Sequence, residues 1–149
     1  MAEDSARALS FLTPEQVSRL GQLPGEGVVG FFTGEGSGEQ GFRPNRVFID
    51  FMHEVLRTKG PEDAGLQAAA AAQGEGWVYV IDLRTPEGPQ GRVPFHDVVG
   101  AFKVEAGLIV EGSYWANEDH RVFTRDGMVR LASSLHEALV EGVMRRRRR

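Results

Sequence analysis

The chain has 149 residues, enough for one domain that buries roughly 70% of its unfolded surface without covalent staples. It contains no cysteine, which excludes disulfides, thiolate metal sites and a cysteine nucleophile. The net charge is −4, but five of its 17 basic residues are the arginines at 145–149, so residues 1–144 hold 12 basic against 21 acidic groups, a balance of −9 that repels polyanions.

The chain opens MAEDSARALSFL, acidic at Glu3 and Asp4. A secretory signal needs a basic start and a longer apolar stretch, so none is expected. No apolar run reaches the length of a membrane span. Absence of cysteine suits the cytoplasm, and 15 Arg against 2 Lys is a habit of GC-rich bacterial genomes.

Thr13-Pro14-Glu15-Gln16 reads as a capping box with proline at the first helical position, and Gly21 closes that helix. Val28 to Phe32, VVGFF, is a short strand candidate. The loop 33–41 holds four glycines and no aliphatic residue, and is expected to be mobile. Asn45 caps a second helix with Phe48, Phe51, Met52, Val55 and Leu56 on one face, and Asp50, His53, Glu54 and Arg57 on the other. Gly60-Pro61 ends it and starts a third, PEDAGLQAAAAAQ, whose alanines permit close approach of another element.

Trp77 to Leu83, WVYVIDL, is β-branched and aromatic with little polar alternation. It is expected at the centre of a sheet, covered on both faces, with Val78, Val80 and Ile81 buried and Phe48 or Phe51 packed against it. Val98 to Val104 and Leu108 to Tyr114 read as a hairpin across Glu105-Ala106-Gly107. A short strand follows at Arg121 to Thr124, with a turn at Asp126-Gly127. The last helix opens at Ser134, in a capping box with Glu137, and its apolar face is Leu135, Ala138, Leu139 and Val143.

The fold class is therefore α+β, with a mainly antiparallel sheet of about four to six strands and about four helices. It forms a single domain over residues 1–144, followed by a disordered poly-arginine tail at 145–149.

Gly36, Gly38 and Gly41 fit G-x-G-x-x-G, but a dinucleotide loop leads straight into a helix. Here Pro44 and Asn45 intervene, and Glu35 and Glu39 repel phosphate. No cofactor is expected. His53-Glu54 starts like H-E-x-x-H, but residue 57 is arginine, and no other spacing requires a metal. Asp82, His96 and His120 are the candidates for an acid–base site. A cleft lined by all three would favour an enzyme, and scattered positions would count against one.

The order W-V-Y-V-I-D, V-P, V-V-G-A-F-K-V and N-E-D-H-R resembles a pattern in small bacterial proteins associated with type VII secretion. The residues that carry it are Trp77, Tyr79, Asp82, Val93-Pro94, Val99-Gly100, Phe102, Asn117 and Arg121. Glu118 and His120 stand where that pattern has Pro and Tyr. The resemblance covers residues 77–122 and implies no catalytic residue.

The chain is accordingly expected to be a non-enzymatic, cytoplasmic, protein-binding module, a secretion-associated adaptor or immunity-type binder. Its acidic body suits a basic partner, and the binding residues expected are Tyr114, Trp115, Asn117 and Arg121. The alternatives are a small enzyme using Asp82, His96 and His120, and a tail-directed binder of nucleic acid or acidic lipid. Neither nucleic acid binding by the body nor a membrane span is expected.

Overall fold

The computed structural model describes residues 7–33, 41–84 and 95–147. The glycine-rich stretch 34–40, Val93-Pro94 and residues 148–149 lie outside them. Among the described residues the fold is α+β, with four α-helices and nine strands in three antiparallel sheets.

The helices start where their capping groups lie. α1 (Pro14–Leu20) carries the full capping box: Thr13 Oγ1 accepts from Gln16 N–H at 3.2 Å, and Gln16 Oε1 accepts from Thr13 N–H at 2.9 Å. α2 (Arg46–Lys59) starts at Asn45, whose Oδ1 accepts from Val47 N–H. The same amide donates to the Gly25 and Val28 carbonyls at 3.0 and 2.9 Å, which ties the helix to the strand before it. All five residues expected on the apolar face of α2 are buried, none more than 8% exposed.

Two starts differ from expectation. The third helix, α3 (Ala64–Gln73), begins after Pro61, because Gly60–Glu62 makes a 3-10 turn and Asp63 caps through Leu66 N–H. Only Leu66 and Ala70 of α3 are buried. α4 (Ser133–Arg147) begins one residue before Ser134, whose hydroxyl is spent on the Asp63 carboxylate instead of a cap. At its other end α4 continues through Arg147, past the expected boundary at 144. Arg145 pairs with Glu141 one turn earlier at 3.7 Å.

β1 (Arg7–Ser10), β2 (Val28–Phe32) and β3 (Phe42–Pro44) form the first sheet, with β2 central. The second contains β4 (Gly76–Ile81), β5 (Val98–Glu105), β6 (Leu108–Ile109) and β7 (Trp115–Ala116). β8 (Phe123–Thr124) and β9 (Gly127–Met128) make a small hairpin whose turn is Arg125-Asp126, one residue earlier than expected. Phe32, Phe42 and Phe123 join the first and third sheets through ring contacts of 4.9–5.3 Å.

β4 is not the central strand; β5 is. Among the described residues β4 pairs with β5 alone, whereas β5 also pairs with β6 and β7. The alternation in β4 explains this: Val78 and Val80 are buried, while Trp77 and Tyr79 point to the open face. Ile81 is half-buried.

The expected hairpin is also revised. Glu105 faces Leu108 directly, so the turn has two residues, Ala106 and Gly107, both at positive φ (51° and 76°). The returning strand is then split. From Ile109 to Trp115 the chain takes six steps while β5 takes three, and the surplus loops out at 110–114. Ser113 repairs the ladder there: its Oγ accepts from Lys103 N–H at 2.9 Å and donates to the Val110 carbonyl at 2.6 Å.

One contiguous core joins α2, α3, α4 and the inner faces of the sheets. Phe48, Met52, Leu56, Val99 and Val104 are fully enclosed in it. Phe48 and Phe51 share this core with Val78 and Val80. The apolar face of α4 enters through Leu135, Leu139 and Val143.

Candidate functional site

Continuing the inward alternation of β4 past Val80 brings Asp82 into the protein at the end of the second sheet. Its backbone N–H donates to the Asp97 carbonyl at 2.7 Å. Its Oδ1 accepts from the N–H groups of Arg84 and Arg130 at 3.2 and 2.9 Å. Its Oδ2 lies 2.9 Å from His120 Nε2 and 3.4 Å from Arg84 Nε. An ionised carboxylate only accepts, so Nε2–H of His120 is the donor.

Arg84 then bridges outward from this centre. Its Nε donates to Asp97 Oδ1 at 3.1 Å with Nη2 ion-paired to the same oxygen at 3.0 Å, its Nη1 donates to the Gly127 carbonyl at 3.0 Å, and its Nη2 donates to the Arg121 carbonyl. One guanidinium thus holds the end of β4, the 95–97 turn, residue 121 and the β8–β9 hairpin together. The side chains of Asp82, Asp97, Arg84 and His120 are 0, 1, 2 and 2% exposed. A charge so enclosed survives only with its partners satisfied. No buried side-chain polar atom among the described residues lacks one.

Asp82 and His120 therefore do meet, but in a place that solvent does not reach. His96 does not join them. It sits on the other side of Asp97, with Nε2 3.8 Å from Asp97 Oδ1 and its side chain 34% exposed. The structure pairs Asp82 with His120 and sets His96 beside Asp97. No group of three potential metal ligands occurs among the described residues.

The four expected binding residues separate. Asn117 is buried, and its amide donates to the carbonyls of Phe95 and Val98 at 3.0 and 2.8 Å. Tyr114 packs inward on Phe102, with ring centroids 5.0 Å apart, and its hydroxyl lies 2.7 Å from His53 Nδ1. Burial pushes this phenol well above its ordinary range. Arg121 is exposed, with its backbone N–H on the His96 carbonyl. Trp115 alone lies on an open sheet face.

His53 is the residue placed differently by its helical spacing. Instead of facing solvent with Asp50, it is half-buried against Tyr114. Its pKa falls from 6.5 to about 4, first through desolvation, then through repulsion by His120 and Arg46, with Asp50 opposing. Its neighbours Ile49 and Leu56, one turn away on the same side, were the available signal.

The open face around Trp115 is the other notable feature. Tyr79, Ala101 and Trp115 are cross-strand neighbours on β4, β5 and β7, and Trp77 lies two residues along β4 from Tyr79. Phe95 adds a ring 6.3 Å from Trp115. Trp77, Tyr79, Phe95 and Trp115 are 41, 53, 56 and 42% exposed, yet Ala101 beneath them is only 1% exposed. The four rings form an aromatic shelf that borders one shallow pocket over a small residue. Leu83 and Leu108 are exposed as well. The sequence signal was the alternation Trp-Val-Tyr-Val, which puts aromatics on one face and valines on the other.

No protein-family model matches the chain, and no curated protein or solved structure is significantly similar to it. Among the described residues no helix is long and apolar enough to cross a membrane.

Proposed function

We propose that this protein is a non-enzymatic module that binds another protein through the outer face of the β4–β5–β7 sheet. The aromatic shelf carries the proposal. Large aromatics gathered on an open surface are unusual on a monomer and typical of interfaces, where Trp and Tyr dominate the binding energy. The Asp82–His120 pair, the obvious acid–base candidate, is enclosed, and its carboxylate is already engaged by the backbone N–H groups of Arg84 and Arg130. The acidic body, −9 over residues 1–144, favours a basic partner by long-range steering. The likeness of residues 77–122 to secretion-associated proteins makes a bacterial, cytoplasmic adaptor or immunity-type binder the proposed setting.

The test is capture from the native host by wild type, by Trp77→Ala/Trp115→Ala and by Asp119→Asn, each checked for folding. A partner retained by wild type and Asp119→Asn but lost by the aromatic double variant supports the proposal. Equal retention by all three overturns it.

A further inference from the structure

We infer that the shelf receives an extended, proline-containing segment of the partner in the polyproline II conformation; this rests on the protein-binding proposal above.

The available area points to a short segment. A fully buried Trp, Tyr or Phe covers about 150–250 Å², so four such rings, each about half exposed, offer on the order of 400 Å². A stable globular interface takes about 800 Å² from each side. The shelf is about half of that, which suits a peptide better than a second copy of the chain.

Shape narrows the choice further. Tyr79 and Trp115 flank β5, so their strands are two interstrand spacings, or about 9.5 Å, apart. A helix about 10–12 Å across rides above such rings, whereas a flat pyrrolidine ring lies directly on an indole or phenol face.

The polar groups on the rim point the same way. Trp77 and Trp115 each carry an indole N–H, and Tyr79 an O–H. Among the described residues none has a hydrogen-bond partner. A shelf rich in donors wants acceptors. A polyproline II chain has no internal hydrogen bonds, so its carbonyls are free to accept. An arginine or lysine side chain brings donors and no acceptor, and would meet Lys103, which stands opposite Trp77 on the same face and is paired with Glu105 at 3.3 Å. The body's negative charge then acts on basic residues flanking the prolines. Because the guest is stiff before it binds, a small shelf loses little affinity to ordering.

The chain's two tryptophans are both in the shelf, so intrinsic emission reports on this site alone. The experiment titrates full-length protein with an oligoproline peptide, a Gly-Ser peptide of equal length and an Arg-Gly peptide. Oligoproline should give a saturable blue shift and Gly-Ser none. Tyr79→Ala should weaken binding about tenfold or more, and Tyr79→Phe, which keeps the ring, should weaken it less. Tyr79 is half exposed, so both variants should keep their melting temperature within a few degrees.

Saturation by Arg-Gly but not oligoproline would overturn the inference in favour of a cationic guest. A blue shift that grows with protein concentration and tracks dimerisation in sedimentation would overturn it in favour of a second copy. If neither peptide binds while the double variant still loses its captured partner, the partner chemistry is wrong and the protein-binding proposal stands. If that capture also survives in the variant, both fall.

Discussion

At the scale of single residues, the enclosed charges dominate. Arg84 places its guanidinium between the Asp82 and Asp97 carboxylates. Removing it strips four carbonyl or carboxylate contacts at once, to Asp82, Asp97, Gly127 and Arg121, inside a closed site. Arg84→Met should therefore cost about 3–5 kcal/mol in denaturant titration; a loss under about 1 kcal/mol would mean that the network opens to water. His53 makes a pH prediction. Its folded pKa of about 4 lies below 6.5, so between those values the unfolded chain takes up a proton that the folded one refuses. Stability should be unaffected by this group above pH 6.5, should fall as the pH drops through the window, and should level off near pH 4. His53→Gln keeps a polar partner for Tyr114 and should flatten that slope in melts across the same range.

Among the elements, two junctions decide the packing. α2 and α4 cross where Gly142 faces Phe51: a Cβ built at Gly142 would lie 3.0 and 3.2 Å from the phenylalanine ring. Phe51 is 3% exposed at this crossing. Phe51→Ala should cost about 3–5 kcal/mol by chemical denaturation, through lost burial and a cavity that the close helices cannot fill. A cost below about 1 kcal/mol would make α2 peripheral. The second junction is the Ala106-Gly107 turn, which α3 receives at its C-terminus. Gly107 N–H donates to the Gly74 carbonyl at 2.9 Å, and Ala106 N–H donates to Glu75 Oε2 at 3.1 Å. Gly107 has φ of 76°, and a side chain there has room but a strained backbone. Gly107→Ala should cost about 1 kcal/mol, read as a small drop in melting temperature with the fold intact.

For the whole molecule, charge is the property that counts. The body carries −9, and the arginine run continues α4 at least to Arg147, where cations favour the carbonyl end of a helix. Exposed pairs such as Arg145–Glu141 contribute little in water. Full-length protein should therefore show weak or no gel shift with DNA, and no co-sedimentation with anionic vesicles, at about 0.15 M salt. Deleting residues 145–149 should leave the melting temperature nearly unchanged. Micromolar polyanion binding that disappears with the deletion and falls steeply with salt would favour the tail-directed alternative.

The local features were readable along the chain because each depends on residues within one or two turns. Thr13, Asn45 and Gly21 mark helix ends through contacts of a few residues, and the spacing of Phe48, Phe51, Met52, Val55 and Leu56 gave the buried face of α2. β1 and β3 escaped notice because RALS has little strand propensity and FRP ends in a proline that only an edge tolerates. The rest is a matter of long-range pairing. Nothing near Asp82 says that His120, 38 residues away, supplies its donor, or that Arg84 closes the knot over Asp97. Nothing near Trp77 or Tyr79 says that Trp115 arrives two strands over, since that depends on the surplus residues looped out at 110–114 and on β5 serving as the centre. Sequence pattern determines which side chains an element presents; only the packed sheet decides whether the face it presents is covered, and among the described residues the aromatic one is left open.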